Sequence, residues 1–256
     1  MLAAAAAQRA DFATLVFNSL WGNRSDLSVS SGLVDAEAAK AASGLLLCDQ
    51  VALAAAHLAR HKTGPSQLRT VIMVLDNCGA ELLNDLCLAA WLVREGFTVH
   101  LHVKAHPTFV SDATCADVAW HLDWLAERLG GLHEELTSAQ SNGSLVVRDD
   151  DFYVSAKPFR DAPAHLKHAY ASAALVILKG DANYRRLVAD TPRDATTPLV
   201  ECAEIDGSVL AIRTCKSPVI AGLSVESVAL AQKANPRKWC LDGSSGLCQF
   251  YSRASF

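Results

Sequence analysis

The sequence contains no G-x-G-x-x-G after any strand-like run and no G-x-x-x-x-G-K-[ST]. It therefore lacks both the dinucleotide-binding turn and the P-loop that cradle phosphates on backbone N–H groups. There is no G-x-S-x-G elbow and no cysteine with a recognisable histidine partner signature, so the common nucleophilic hydrolase motifs are missing as well. The eight cysteines include no C-x-x-C pair, and several sit in apolar periodic segments. That pattern points to reduced, mostly buried thiols in a cytoplasmic protein rather than to a disulfide framework. Positive charge is scarce and scattered: 23 Lys and Arg stand against 27 Asp and Glu, for a formal net charge of −4. Without a basic block there is no electrostatic footprint for a nucleic-acid backbone, and no nucleic-acid partner is expected. Apolar runs such as residues 71–75 are far too short to cross a bilayer, so no membrane partner is expected either. The N-terminus carries alanines at positions 3–7 but neither a basic leader nor a strongly apolar stretch, and it does not read as a signal peptide.

What the chain does have is apolar residue, 51% of its 256 positions, which is ample for a buried core. No linker or internal repeat divides it, and residues 1–256 read as one domain. Residues 36–59 carry a helical period in Ala and Leu and are expected to form a helix ahead of the first strand. Residues 71–75 are an unbroken aliphatic run of the kind found in a strand buried on both faces of a parallel sheet. A helix over 81–94, a strand over 97–103 and a helix over 116–129 follow, with Gly130 and Gly131 as the helix stop. His100 and His102 share one face of the second strand by the two-residue alternation and read as sheet residues rather than ligands. Short strands are expected at 145–147 and 152–154 around a solvated acidic turn at Asp149 to Asp151, which lacks the spacing of a calcium loop. Then come a helix over 163–171, a strand over 175–178, a strand over 209–212, and further β character over 219–223. Alternating strands and helices imply an α/β fold, a three-layer α/β/α sandwich with a largely parallel, Rossmann-like sheet.

In such sheets ligands bind beyond the carboxyl ends of the strands. Asp76 and Asn77 follow the first run. Lys104 and then Asp112 follow the second. Lys179, Asp181, Asn183, Tyr184 and Arg185 follow the strand at 175–178, and Arg213 and Lys216 follow the one at 209–212. Oxygen ligands on adjacent loops suit a hard or borderline divalent cation. Lys179, Arg185, Arg213 and Lys216 on the same edge would neutralise a phosphoryl group. Each cluster alone has an ordinary explanation, a turn at Asp76–Asn77 or a helix cap at Asp112. Their coincidence on one edge favours a metal-plus-phosphate site.

Five segments occur in the order found in the damage-control phosphatases: LWGNRSDLS from Leu20, LDNCGAE from Leu75, FVSDAT from Phe109, KGDANYRRL from Lys179 and RTCK from Arg213. The chain resembles most the sugar-phosphate branch, also described as acidic-residue methyltransferase proteins. The resemblance implies a metal-dependent phosphatase acting on small phosphorylated metabolites, with fructose 1-phosphate and fructose 6-phosphate as expected substrates. It implies Asp76, Asn77 and Asp112 as ligands of Mn²⁺, Ni²⁺, Co²⁺ or Mg²⁺. It also implies substrate contact by Asp76 and Asn77, by Asp181, Ala182, Asn183, Tyr184 and Arg185, and by Lys216. Asp181, Arg185 and Lys216 are the expected catalytic groups. That branch carries a helical region upstream of the LWGNR segment, which is expected to be mostly absent here because only Met1 to Ser19 precede Leu20. Two other functional classes remain at this point: an S-adenosylmethionine-dependent protein carboxyl methyltransferase, for which the usual glycine-rich turn is missing, and a non-catalytic binding or regulatory protein.

Overall fold

The structure, a computed structural model, describes residues 10–25, 45–65 and 68–253. A helix, α1 (Phe12–Ser25), precedes β1 (Leu45–Asp49), α2 (Val51–Lys62), β2 (Thr70–Val74), α3 (Ala80–Arg94) and β3 (Thr98–Lys104). Two consecutive helices, α4 (Cys115–Arg128) and α5 (Gly130–Ser141), lead into β4 (Leu145–Asp150), and α6 (Ala164–Ser172) leads into β5 (Leu175–Lys179). The remainder is α7 (Gly180–Leu187), α8 (Leu199–Cys202), β6 (Ser208–Thr214), α9 (Val225–Ala234) and β7 (Ser245–Ser252).

The strands form one seven-stranded sheet in the order β1-β7-β6-β5-β2-β3-β4. Every pairing is parallel except β6 with β7. Alternation along β2 shows why three layers form. Val71 and Met73 join one apolar cluster with α1, α2, α3, α4 and α5, whereas Ile72 and Val74 join a second cluster on the opposite face with α6, α7 and α8. A strand buried on both faces has no polar side to give water, hence its unbroken aliphatic sequence. The strand order also reverses at β2: the chain runs from β2 outward to β3 and β4, then returns to place β5 on the other side of β2. That reversal opens a crevice beyond the carboxyl ends of β2 and β5, where open α/β sheets take their ligands.

Several expectations are corrected. Within residues 36–59, the part from Leu45 on is a strand followed by a helix, and the part before it lies outside the described residues. Leu45 to Asp49 pair in parallel with β7, some 200 residues later, and this tertiary partner overrides a helical period that the strand itself shares. Gly130 does not end the helical region but opens α5. Leu129 sits between the two helices at φ −137°, ψ 54°, so the glycines mark a change of direction only. The segment Asp151–Val154 is a 3₁₀ turn, capped by the Asp150 carboxylate on Phe152 N, and Asp149 and Asp150 belong to β4. Residues 219–223 form no strand, because Arg213 takes the carbonyl oxygens of Ser217 and Val219. Nothing in the alternation announces β7, whose polar Ser245 and Gln249 are buried.

Candidate active site

The loop after β2 carries Asp76 and Asn77, and its backbone is pinned to the loop before α4. Asn77 and Asp112 form an antiparallel bridge, Cys78 N donates to Ser111 O at 2.7 Å, and Ala113 N donates to Asp76 O at 3.0 Å. Asp112 is not the cap of α4. Thr114 takes that role in a capping box with Asp117. This leaves Asp112 free to accept the backbone N–H groups of Thr108 and Phe109 at 2.9 Å on Oδ2 and to turn Oδ1 toward Lys104.

Lys104, the last residue of β3, lies between the two carboxylates. Its Nζ is 3.1 Å from Asp76 Oδ1 and 2.5 Å from Asp112 Oδ1, and all three side chains are largely buried. Burial pushes the Asp76 carboxyl above the usual range, with Lys104 opposing the rise and Glu81 adding to it. Asn77 is held by its amide nitrogen, which donates to Asp76 Oδ2 at 3.0 Å and Glu81 Oε2 at 2.9 Å. Its Oδ1 accepts Ser111 Oγ at 2.6 Å. The amide has only one orientation compatible with these partners, because both carboxylates need its N–H groups.

Behind this pair is a second buried charge cluster. Lys179 Nζ donates to Ser19 O of α1 at 2.7 Å and stands 3.3 Å from Glu81 and 3.5 Å from Asp85. Burial alone would pull the Lys179 ammonium down, but Asp85 and Glu81 outweigh it, and its pKa stands above the ordinary lysine value. Asp85 is pushed up to about 7, chiefly by burial. One of its oxygens accepts Ser19 Oγ at 2.5 Å and the other has no hydrogen-bond partner among the described residues. Lys179 is thus spent on the interior and does not join the phosphate-facing cations that the sequence pattern suggested. Arg213 is likewise consumed. It is fully buried, lies over the Tyr184 ring at 4.3 Å, and donates to Val219 O, to Ser217 O and to Asp181.

Asp181 opens α7. Its Oδ1 receives Arg213 Nε at 2.8 Å and the backbone N–H of Lys216 at 2.9 Å, which ties α7 to the loop after β6. The Lys216 side chain is exposed. Asn183 donates to Leu75 O at 3.3 Å and Lys179 O at 2.8 Å. Tyr184 is buried, with its hydroxyl on Ala221 O and Gln249 Oε1. A cavity of about 320 Å³ lies beside these elements, with Lys104, Asp112, Ala182, Asn183, Arg185 and Arg186 in its wall. Asp76, Asn77, Asp181, Tyr184 and Lys216 are outside that wall. Sequence reasoning had no role for Glu81, Asp85, Ser19 or Arg186. Glu81 lies in the first turn of α3, four residues after Asn77, and its carboxylate takes the Asn77 amide. Ser19 and Asp85 carry no signal in the sequence.

Two carboxylates and a carboxamide oxygen are hard donors of the kind that Mg²⁺ and Mn²⁺ take. Among the described residues no group of three or more His, Cys, Asp or Glu could hold a metal ion, so a site here has to draw on the amide oxygen of Asn77. The donors fit a cation in one concrete respect: Asp76 and Asp112 already hold one between them, the Lys104 ammonium.

Fold and site together define an α/β/α protein with an acid–amide cluster and a cavity at the switch point of its sheet. The chain belongs to the damage-control phosphatase ARMT1-like domain family, whose sequence model matches residues 1–230. It is 30% identical over 262 residues to the damage-control phosphatase ARMT1 of Rattus norvegicus, covering 94% of this chain and 58% of that protein. To the Homo sapiens protein of the same name it is 29% identical over 263 residues, covering 94% and 58%. The chain therefore spans little more than half the length of these relatives. Among solved structures, a DUF89 family protein from Pyrococcus horikoshii superposes with a TM-score of 0.54 at 17% identity, over 96% of this chain and 69% of that one. This likeness shows the shared fold.

Proposed function

We propose that the chain is a divalent-cation-dependent phosphatase of small phosphorylated metabolites, with hexose phosphates such as fructose 1-phosphate and fructose 6-phosphate as substrates. The observation that carries this reading is the buried meeting of Asp76, Asn77 and Asp112, with the Lys104 ammonium between the two carboxylates, beside the Arg185 cavity. Family membership supports it. The seven strands among the described residues share one sheet, which supports treating residues 1–256 as one catalytic domain. The eight free thiols suit a cytoplasmic setting, and no helix among the described residues is long and apolar enough to cross a membrane.

A divalent cation held by Asp76, Asn77 and Asp112, whether Mn²⁺, Ni²⁺, Co²⁺ or Mg²⁺, would supply Lewis-acid polarisation of a phosphoryl oxygen and a more acidic water. Asn77 contributes an oxygen without a third negative charge to repel the phosphate. Ala182 and Asn183 bring the first turn of α7 to the cavity, and the N–H groups of such a turn have no acceptor of their own within the helix. Arg185 and the exposed Lys216 ammonium are the cations left to hold the equatorial oxygens as charge spreads over them. Asp181 is fixed through Oδ1 by Arg213 and Lys216 N. Its second oxygen has no hydrogen bond among the described residues, and the role assigned to it in this reading is to accept a proton from the attacking water. Tyr184 acts through packing, by anchoring α7 against β7.

The test is phosphate release from sugar phosphates with each of the four metals. Metal-stimulated release that Asp76→Ala abolishes is the expected result. Activity retained by Asp76→Ala with unchanged metal dependence, or no release with any metal, overturns the assignment.

A further inference from the structure

After α7 the chain turns through Ala189 (φ 57°) and Asp190 (φ 48°), which are the non-glycine residues with positive φ among those described. Left-handed backbone at two successive residues with a Cβ is sparsely populated and persists only where the surroundings hold it. Here Asp190 N donates to Arg185 O at 2.6 Å and Ala189 N to Arg186 O at 3.4 Å. The turn folds Asp190 back on Arg185, whose Nε and Nη2 both donate to its carboxylate at 2.7 Å. This hydrogen bonding holds the Asp190 carboxyl below the usual range.

Both side chains lie in the wall of the 320 Å³ cavity, yet they are 44% and 49% exposed. The turn itself closes α7, because its two backbone bonds are those of a Schellman cap; the side-chain pair it builds is wet and adds little to stability. Its effect is on Arg185 itself. A guanidinium carries five N–H groups, and Asp190 engages one on Nε and one on Nη2. Three remain, on Nη1 and Nη2, in the spacing of a second bidentate pair. With the Nε edge clamped, the side chain loses most of the rotamer freedom that an unpaired surface arginine keeps.

We propose that Asp190 is the positioning residue of the phosphate site: it clamps the Nε edge of Arg185 so that the opposite edge is presented to a phosphoryl group in the cavity. The inference rests on the phosphatase reading for the identity of the anion, but binding can be measured apart from turnover. Calorimetry of the full chain with inorganic phosphate, with and without Mn²⁺, compares wild type with Asp190→Ala, Asp190→Asn, Arg185→Ala and the Arg185→Ala/Asp190→Ala double variant. The expected result is roughly five- to tenfold weaker phosphate binding in Asp190→Ala, as for loss of one positioned charge-assisted bond. Asp190→Asn, which can still accept one N–H, is expected to fall between the two. Removing Asp190 should add less than about twofold once Arg185 is gone, since the effect runs through that side chain. Binding unchanged or tightened in Asp190→Ala overturns the clamp, as does an equal loss in the Arg185→Ala background or a wild type that binds no phosphate. In an active enzyme the same variant lowers kcat/KM, with KM raised and kcat reduced, because the guanidinium it positions faces the phosphoryl group in both the bound and the transition state. A chain that binds phosphate with this coupling but releases none from any sugar phosphate keeps the clamp and loses the phosphatase.

Discussion

Gly180 closes over Asp76: at φ +84°, a Cβ added to it would overlap the Asp76 carboxylate and lie 2.8 Å from Asp76 Cβ. The β5–α7 junction therefore reaches the loop after β2 only because residue 180 has no side chain and tolerates the left-handed region. The segments after β2 and β5 thus come into close approach at this position.

Gly180→Ala is accordingly expected to damage stability and site together. Strained φ and backbone displacement together cost about 3 kcal/mol by the usual penalties for left-handed residues and overpacking. Thermal unfolding should show a lower midpoint, and Mn²⁺ should no longer raise it. A variant with an unchanged midpoint and an unchanged response to Mn²⁺ would show that the two loops move apart at no cost.

Lys104 holds two buried carboxylates apart from one another electrically. Lys104→Met leaves Asp76 and Asp112 facing each other without their ammonium, and losing one partner of a buried pair costs about 3–5 kcal/mol. A divalent cation can replace that charge. The metal-free variant is expected to melt lower than wild type, with a larger rise in midpoint on adding Mn²⁺. Equal rises in the two proteins would contradict a cation position shared with Lys104.

The pH dependence of stability includes two opposed contributions, from Asp85 and His102. Burial pushes the Asp85 carboxyl up to about 7 in the folded chain, above the ordinary aspartate value of 3.8. The folded state therefore binds the proton more tightly, and this contribution is full below about pH 4 and is lost as pH rises to 7. His102 is pushed down to about 4 by burial, with His100 and Arg148 adding to the fall. Its contribution is full above about 6.5 and is lost as pH falls toward 4. Asp85→Asn removes the first contribution, so chemical unfolding at a series of pH values should show stability rising more steeply from pH 4 to 6.5 and no longer falling toward 7. A profile that still falls between pH 6 and 7.5 would assign the loss to another group.

Arg213→Lys tests the fully buried guanidinium. A lysine cannot bridge Asp181, Val219 O and Ser217 O in their planar arrangement. The expected loss is about 3 kcal/mol of stability, with kcat falling more than KM rises because Asp181 is released. Stability kept within about 0.5 kcal/mol of wild type would show that the loop after β6 does not depend on it.

Much of this was legible in the linear pattern. The aliphatic runs at β2 and β5 name the centre of the sheet because a strand covered on both faces tolerates no polar alternation, and the polar residues after them name the edge that binds. Asp76, Asn77 and Asp112 do stand together at that edge. The pattern fails where burial reverses the meaning of a charge. Lys179 and Arg213 read as phosphate-facing cations, but each ends beneath the site, its N–H groups given to carbonyls and carboxylates.

Composition, period and strand-end residues by themselves determine the α/β/α class, the edge that carries the chemistry and the kinds of donor gathered there, since these follow from local alternation and from which side chains bear oxygen or charge. Only the tertiary structure decides that β1 is a strand and not a helix, that Lys104 lies between two carboxylates, that Gly180 must be bare for Asp76 to fit, and that Asp190 turns back on Arg185. Each of these depends on contacts between segments distant in sequence or on a backbone conformation imposed by packing, and neither is encoded in the spacing of residues along the chain.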